Sequence, residues 1–207
     1  MSIEHKVRLV EELFGRLENE ISAFQSETNL HCRTGCGKCC STPDIVASPL
    51  EFLPWALHLF LNGKAEEMLV ELNNKSDSNC HLYRPLDVLD RSNGICSNYR
   101  YRGLICRLFG YAASRDKYGK LRLATCKIIK EEQQQNFKDT EEDISKGLYV
   151  PIFSDYYMQL SQIDNRLAIT LLPINEALKI AIEEVLHYYA YRPFPDGLEN
   201  LTEKKVI

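Results

Sequence analysis

The sequence has 207 residues, of which 44% are hydrophobic and 10% aromatic, with a formal net charge of −4 and eight cysteines. This length and composition can bury a core, which excludes a disordered chain and a small scaffold that depends wholly on cross-links. The longest apolar stretch, residues 52–61, is too short to span a bilayer and is interrupted by Pro54 and His58.

The N-terminus predicts no signal peptide, because residues 1–16 carry several ionisable groups and no continuous apolar segment. We therefore expect a cytoplasmic protein, in which thiols stay reduced and disulfides are rare. Eight cysteines in such a protein indicate metal ligation or redox chemistry. The alternative, scattered cysteines that act as small buried hydrophobes, is disfavoured by their clustered spacing.

The first half of the chain contains three predicted helices. Apolar residues at helical spacing predict an amphipathic helix over residues 3–24. A glycine-containing loop with the first cysteines follows. Ser48, Pro49 and Glu51 then form an N-terminal capping pattern for a helix that reaches about residue 62, with Pro54 inside it. A shorter helix is predicted over residues 65–72.

Residues 80–130 are predicted to be mostly irregular, with a short helix over 102–108. A strand pair is predicted over 108–114 and 121–126, joined by a turn at 116–120. The charged stretch 130–146 predicts a solvated helix and a boundary. Two further helices are expected at 154–167 and 174–189, followed by a proline-containing tail from residue 192.

These elements predict a mainly α fold with irregular loops and at most a small β-hairpin. We expect a single domain built around a cysteine-ligated metal centre. Within it, residues 1–31 would form an N-terminal helix, residues 32–130 a cysteine-cluster metal-binding domain, and residues 131–207 a C-terminal helical extension that packs on it.

The cysteines are the strongest functional pattern, with four in the motif C-x3-C-x2-C-C and four at wider intervals. All eight are candidate metal ligands: Cys32, Cys36, Cys39, Cys40, Cys80, Cys96, Cys106 and Cys126. Gly35 and Gly37 let the backbone turn tightly, so that several sulfurs can converge. Neighbouring side chains diverge, so Cys39 and Cys40 rarely ligate one ion.

Eight sulfurs can therefore form two centres of four, or one centre with further buried thiols. Thiolates suit zinc and iron–sulfur clusters equally, so both cofactors stay open. His31 and His81 each adjoin a cysteine and could replace a sulfur, although a surface or core position is the expectation for both.

At this point the pattern resembles a known family. The sequence CRTGCGKCC, then Cys80, the segment CSNYRYRGLICRLFG and Cys126 resemble the YkgJ-type cysteine-cluster family, whose domain is also called the CxxCxxCC zinc- or iron-chelating domain. Its motif falls on Gly35, Cys36, Cys39, Cys40, Cys80, Cys96, Tyr99, Arg102, Cys106, Arg107 and Cys126. The family's usual Arg-Pro is Arg102-Gly103 here. The resemblance covers about residues 32–126 and implies metal chelation.

Two main functional hypotheses follow. In the first, the protein is a zinc- or iron–sulfur-binding module whose metal ties its loop-rich middle together, with Arg102 and Arg107 neutralising thiolate charge. In the second, it is an iron–sulfur-dependent enzyme. One branch of the resembling family, the flagellin lysine N-methylases, is associated with cluster-dependent methyl transfer, which would make such an enzyme a methyltransferase.

Two further functions rank lower. The spacing from Cys32 to Cys39 also occurs in radical SAM enzymes, but the chain shows no succession of βα units. Tyrosines and arginines alternate over residues 99–118 as they do in nucleic-acid-binding surfaces. Because the protein is acidic overall and the same arginines lie beside thiolates, we do not expect nucleic acid to be its partner.

Overall fold

The computed structural model describes residues 1–43, 45–86 and 93–195. The last part of the predicted proline-containing tail, residues 196–207, lies outside the described residues. In the described part, the helices are α1 (Ile3–Thr28), α2 (Leu53–Leu61), α3 (Ala65–Asn74), α4 (Leu104–Leu108), α5 (Lys127–Glu132), α6 (Gln134–Ser145), α7 (Phe153–Ile163), α8 (Asn165–Ile169) and α9 (Ile174–Tyr189). The strands are β1 (Val46–Ala47), β2 (Tyr83–Pro85), β3 (Gly94–Cys96), β4 (Ala113–Arg115), β5 (Leu121–Leu123) and β6 (Leu172–Pro173).

Helix α1 confirms the first predicted helix and extends it by one turn. The Ser2 hydroxyl accepts a hydrogen bond from the His5 amide at 3.2 Å, which satisfies one free donor at the helix start. The helix ends at Asn29, whose φ of 55° is left-handed. Its apolar stripe is buried along its whole length, from Ile3 to Phe24, as the helical periodicity predicts.

The second predicted helix is confirmed, but it forms in two parts. The capping box of Ser48 and Glu51 opens a 3-10 turn, Pro49–Phe52, which continues directly into α2 at Leu53. Pro54 lies in the first turn of α2, where its missing N–H removes no intrahelical bond. The 3-10 turn therefore shifts the start of the α-helix so that the proline is accommodated.

Helix α2 lies at the centre of the fold, where it packs against α1 and α9. Its Trp55 side chain is fully buried. The apolar core contains buried residues from α1, from the cysteine-bearing middle and from α9, so these segments share one core. None of the described helices is both long and apolar enough to cross a membrane.

The expectation of at most one small hairpin is wrong. The predicted pair is present, although shorter, as β4 and β5, but the described residues contain two further antiparallel pairs, β2–β3 and β1–β6. Strands of two or three residues are too short to show an alternating pattern, which explains why they were not predicted. In addition, β1 and β6 are far apart in the sequence, so only tertiary packing brings them together.

The prediction for the charged stretch after residue 130 is also corrected. It forms two helices, α5 and α6, instead of one. Thr140 and Ile144 on α6 are buried, so one face of α6 packs against the protein instead of being wholly solvated. Leu123 donates its amide to the Glu141 carboxylate at 2.7 Å, which fixes α6 to the β4–β5 pair.

Candidate metal centre

The first four cysteines lie in a loop of tight turns between α1 and β1, as predicted. Gly35 and Gly37 have φ values of 72° and 55°, in the left-handed region that favours glycine. The Cys40 amide donates to the Gly37 carbonyl at 2.9 Å, which closes a turn around Cys39. The Ser41 and Thr42 hydroxyls both donate to the Lys38 carbonyl, so side chains and backbone together hold the turn.

This loop is docked on the β2–β3 hairpin, which carries Cys96. The Gly94 amide donates to the Gly35 carbonyl at 3.0 Å. A Cβ atom on Gly37 would lie 2.5 Å from the Gly94 carbonyl oxygen and 2.7 Å from the Tyr83 ring. Because real Cβ atoms do not approach so closely, the loop can reach the hairpin only with glycine at position 37.

Cys80 is held against the same loop. It is buried, and its amide donates to the Cys40 carbonyl at 3.2 Å. The Asn175 side chain, on α9, accepts from the His81 amide and donates to the Asn79 carbonyl, each at 2.8 Å. The C-terminal helix therefore fixes the segment on which Cys80 lies.

Cys106 lies on α4, whose first turn is held by Glu51. The Glu51 carboxylate accepts from the Ile105 amide at 3.0 Å and from the Ser48 amide at 2.8 Å. It also bonds to the Tyr157 side chain, and only 1% of Glu51 is exposed. Burial raises the pKa of the Glu51 carboxyl above its usual value, while these donors oppose the shift. Glu51 thus connects the 3-10 turn before α2 with the helix that carries Cys106.

Five of the eight candidate ligands line one cavity of about 320 Å³. They are Cys39, Cys40, Cys80, Cys96 and Cys106. The rest of the cavity wall is mainly apolar and includes Phe52, Leu82, Ile105 and Ile174. Arg102 and Tyr99 also line it. The fold therefore gathers sulfurs from the loop, from the segment before β2, from β3 and from α4.

The other three cysteines form a second neighbourhood around Cys32. Burial, together with the nearby Cys39, Cys36 and Cys126, raises the pKa of the Cys32 thiol to about 11. Cys126 is the N-cap residue of α5, and its sulfur accepts from the Ile129 amide at 3.5 Å. The Tyr111 hydroxyl accepts from the Cys32 amide at 2.6 Å. Cys39 takes part in both neighbourhoods.

The adjacent pair Cys39 and Cys40 is electrostatically unequal. A hydrogen bond from the Cys40 thiol, together with the charge of the Arg102 guanidinium, lowers the pKa of Cys39 to about 6. The same bond raises the pKa of Cys40. Burial raises the pKa of Cys80 to about 11 and also raises that of Cys106. Cys39 is therefore converted more readily than Cys40, Cys80 or Cys106 to the thiolate, which is the form that binds metals.

The two arginines near Cys106 differ in their roles. Arg102 lowers the pKa of Cys32, Cys39 and Cys96, so its charge lies among the thiols. Arg107 is 4% exposed and bonds elsewhere, to Glu18 and to the carbonyls of Arg100 and Arg102 at 2.6 and 3.0 Å. The main partners of Arg107 are therefore a carboxylate on α1 and the loop backbone, and Cys106 makes a smaller electrostatic contribution.

Among the contacts of the described residues, neither the His31 ring nor the His81 ring contacts a cysteine thiol. The His81 ring lies 3.2 Å from the Glu71 carboxylate. His31 is exposed, and its backbone bonds to the Gln133 side chain. These contacts are those of surface and packing residues, as expected from the sequence.

All eight cysteines are free thiols. In residues 1–43, 45–86 and 93–195, no three His, Cys, Asp or Glu side chains are already spaced to hold one ion. The donor set nevertheless fits the metals considered, because free thiols that converge on one cavity are ligands for zinc and for iron–sulfur clusters. The sequence interpretation missed the bonds of Glu51 to Ile105 and Tyr157. Glu51 was recognised only as a capping residue, and its partners lie far along the chain.

Comparison with known proteins gave one match. The model of the CxxCxxCC family, described as "Putative zinc- or iron-chelating domain", matches residues 31–143 and includes all eight cysteines. The match confirms the resemblance seen in residues 32–126 and extends it through α5 and most of α6. No curated protein and no solved structure matches the chain significantly.

Proposed function

Because the chain belongs to the CxxCxxCC family of zinc- or iron-chelating domains, we propose that it binds zinc or iron through its eight cysteines. The observation that carries this proposal is the cavity into which four separate segments bring five free thiols. Four segments that are distant in sequence would not meet in this way if the cysteines were only scattered hydrophobes. Thiolates are ligands that zinc and iron–sulfur centres share.

The two neighbourhoods of thiols support two centres of four sulfurs each. The first would use Cys40, Cys80, Cys96 and Cys106, which all line the cavity. The second would use Cys32 together with Cys36, Cys39 and Cys126, since these three lie close enough to Cys32 to raise its pKa. This division gives Cys39 and Cys40 to different centres, because adjacent side chains rarely ligate one ion, although both line the cavity.

The bound metal would hold the loop-rich middle of the protein in place. Residues 30–46 and 80–126 contain only short helices and strands among the described residues. We expect metal removal to disorder these two segments first, because a metal that binds only the folded site adds its binding energy to the stability of that site. Limited proteolysis with and without chelator tests this, and equal cleavage of the two segments in both samples would contradict it.

The decisive experiment is metal and acid-labile sulfide analysis of protein purified without oxygen, together with its visible spectrum. Coloured protein with sulfide would identify iron–sulfur clusters, and colourless protein with stoichiometric zinc would identify zinc. Cys106→Ser and Cys126→Ser should each lose one of the two centres and keep the other. Absence of tightly bound metal in the wild type would overturn the proposal, and loss of all metal in both variants would overturn the division into two centres.

One observation favours the alternative, an iron–sulfur-dependent enzyme. The cavity beside the cysteines is larger than a zinc ion needs, so a second molecule could reach a metal bound there. A methyltransferase related to the flagellin lysine N-methylases is the most specific form of this alternative. If the anaerobic protein contains zinc and no sulfide, this alternative is rejected.

A further inference from the structure

The cavity beside the cysteines has the size of a small-molecule site. Its volume of about 320 Å³ is at the lower end of the range of ligand pockets, about 300–1,000 Å³. At the volume of a water molecule in the liquid, about 30 Å³, it has room for about ten non-hydrogen atoms. A zinc ion held at the sulfur-lined side would fill only a small part of it.

Part of the cavity wall is formed by buried apolar residues of the core. Phe52, Leu82 and Ile174 are each at most 4% exposed and belong to the shared core, so their positions are fixed by packing. Water in such a space would find few hydrogen-bond partners. Displacing it with an apolar molecule is therefore favourable.

The mouth of the cavity continues this apolar surface. Val46, Tyr99 and Phe109 line the cavity, and their side chains are 46%, 63% and 39% exposed. The Arg102 guanidinium stacks on the Tyr99 ring, with its central carbon 4.1 Å from the ring centroid. Exposed apolar residues that surround an opening are typical of a binding groove.

The charges around the cavity favour an uncharged occupant. Arg102 lines the cavity together with the five thiols. Four thiolates around one divalent ion leave a net negative charge, so that charge already engages Arg102 and repels a second anion. A charged group placed against the apolar wall would also lose its hydration, at a cost in free energy whether it is a cation or an anion.

We propose that this cavity is a binding site for a small, uncharged, apolar molecule of about ten non-hydrogen atoms, bound with its apolar part against Phe52, Leu82 and Ile174 and one end towards the cysteines. This inference rests on the proposed function, because metal-bound cysteines would form one wall of the ligand site. A neutral ligand of this kind would lie directly against the metal centre, where it could regulate or react with that centre.

The test is calorimetric titration of the metal-loaded protein with 1-octanol. The metal content of the protein is measured on the same sample. Octanoate and octylammonium have the same chain with opposite charges, and 1-butanol has the same hydroxyl with a shorter chain. We expect saturable binding of 1-octanol at one site, and binding of each of the other three at least about tenfold weaker.

Two matched variants test whether the bound molecule lies in this cavity. Val46→Trp adds bulk at the cavity mouth and should weaken 1-octanol binding by at least about tenfold, because the cavity is barely large enough for its ligand. Val70→Trp changes a comparably exposed valine on α3, outside the cavity, and should leave binding unchanged. Unfolding curves of both variants verify that each is folded.

The outcomes separate this inference from the proposed function. Equal binding by both variants, or absence of 1-octanol binding by metal-loaded protein, overturns the cavity inference and leaves metal binding intact. If only metal-free protein binds 1-octanol, the metal centre itself fills the cavity and the inference is again overturned. A wild type that binds no metal but binds 1-octanol in a manner that Val46→Trp weakens would overturn the proposed function and support the cavity site.

Discussion

The backbone amide of Cys80 donates a hydrogen bond to the carbonyl oxygen of Cys40 at 3.2 Å. This contact joins the last residue of the first cysteine motif to a cysteine that is isolated in the sequence. Together with the bond from Gly94 to Gly35, it attaches the cysteine loop to the segment that precedes and forms the β2–β3 hairpin. Backbone hydrogen bonds therefore hold the segments that carry these thiols against one another.

Gly37→Ala should strongly destabilise the protein. The φ of 55° costs a residue with a Cβ about 1–2 kcal/mol, and the new Cβ would lie 2.5 Å from the Gly94 carbonyl oxygen. We expect the free energy of unfolding to fall by more than about 2 kcal/mol and metal content to fall with it. Denaturant unfolding and metal analysis measure these two effects.

Gly63→Ala is the matched control for this variant. Gly63 has a φ of 66°, but nothing lies within 4 Å of its Cβ position, so its substitution adds backbone strain without a clash. Its effect should be limited to about 1–2 kcal/mol. Equal effects of the two substitutions would show that the close approach of the loop to the hairpin does not contribute to stability.

Glu51→Ala should destabilise the protein and weaken metal binding through Cys106. The change leaves the buried amides of Ser48 and Ile105 without their acceptor, at a cost of about 1–3 kcal/mol for each. Glu51→Gln keeps an acceptor oxygen and should recover part of the loss. Unfolding curves and the metal affinity of each variant measure the two effects.

Glu67→Ala provides the control, since Glu67 is an exposed residue in the first turn of α3. Its free energy of unfolding should stay within about 0.5 kcal/mol of the wild type. If Glu51→Ala changed stability by no more than this control, the buried bonds of Glu51 would contribute nothing to the fold.

Arg107→Lys should be destabilising although it keeps the charge. The Arg107 guanidinium donates to the carbonyls of Arg100 and Arg102 and pairs with Glu18, a set that a lysine ammonium cannot reproduce. We expect a loss of about 1–3 kcal/mol in the free energy of unfolding. Arg122→Lys, at an arginine whose side chain is 60% exposed, should have almost no effect, and a similar loss in both variants would contradict this role of Arg107.

Metal affinity should increase with pH. Burial raises the pKa of Cys80 to about 11, so this thiol is protonated in the metal-free protein at neutral pH and must lose its proton when it binds metal. Because the raised pKa favours the protonated form at all lower pH values, the apparent affinity should fall as pH falls from about 9 to 6. Calorimetry in buffers with different ionisation enthalpies measures the protons released, and zero proton release at pH 7 would exclude these thiols as ligands.

Part of the fold could be predicted from local sequence patterns. Helix α1 and the helical start at Ser48 were predicted because helical periodicity and capping depend on residues within a few positions of each other. The β1–β6 pair was not predicted, since its partners Val46 and Pro173 are far apart in the chain. The β2–β3 pair was also missed, because its three-residue strands are too short to show an alternating pattern.

The sequence by itself was sufficient to predict eight cysteines, four of them in a glycine-containing loop, as candidate metal ligands, and the family match to residues 31–143 spans all of them. Residue type and spacing are sufficient for that conclusion because thiols carry their metal chemistry wherever they lie. Only the tertiary structure decided which thiols share a cavity, that Arg102 faces them while Arg107 bonds to Glu18, and that Glu51 holds the turn before Cys106. Those relationships depend on directions in space between distant segments, and packing of the shared core sets these directions.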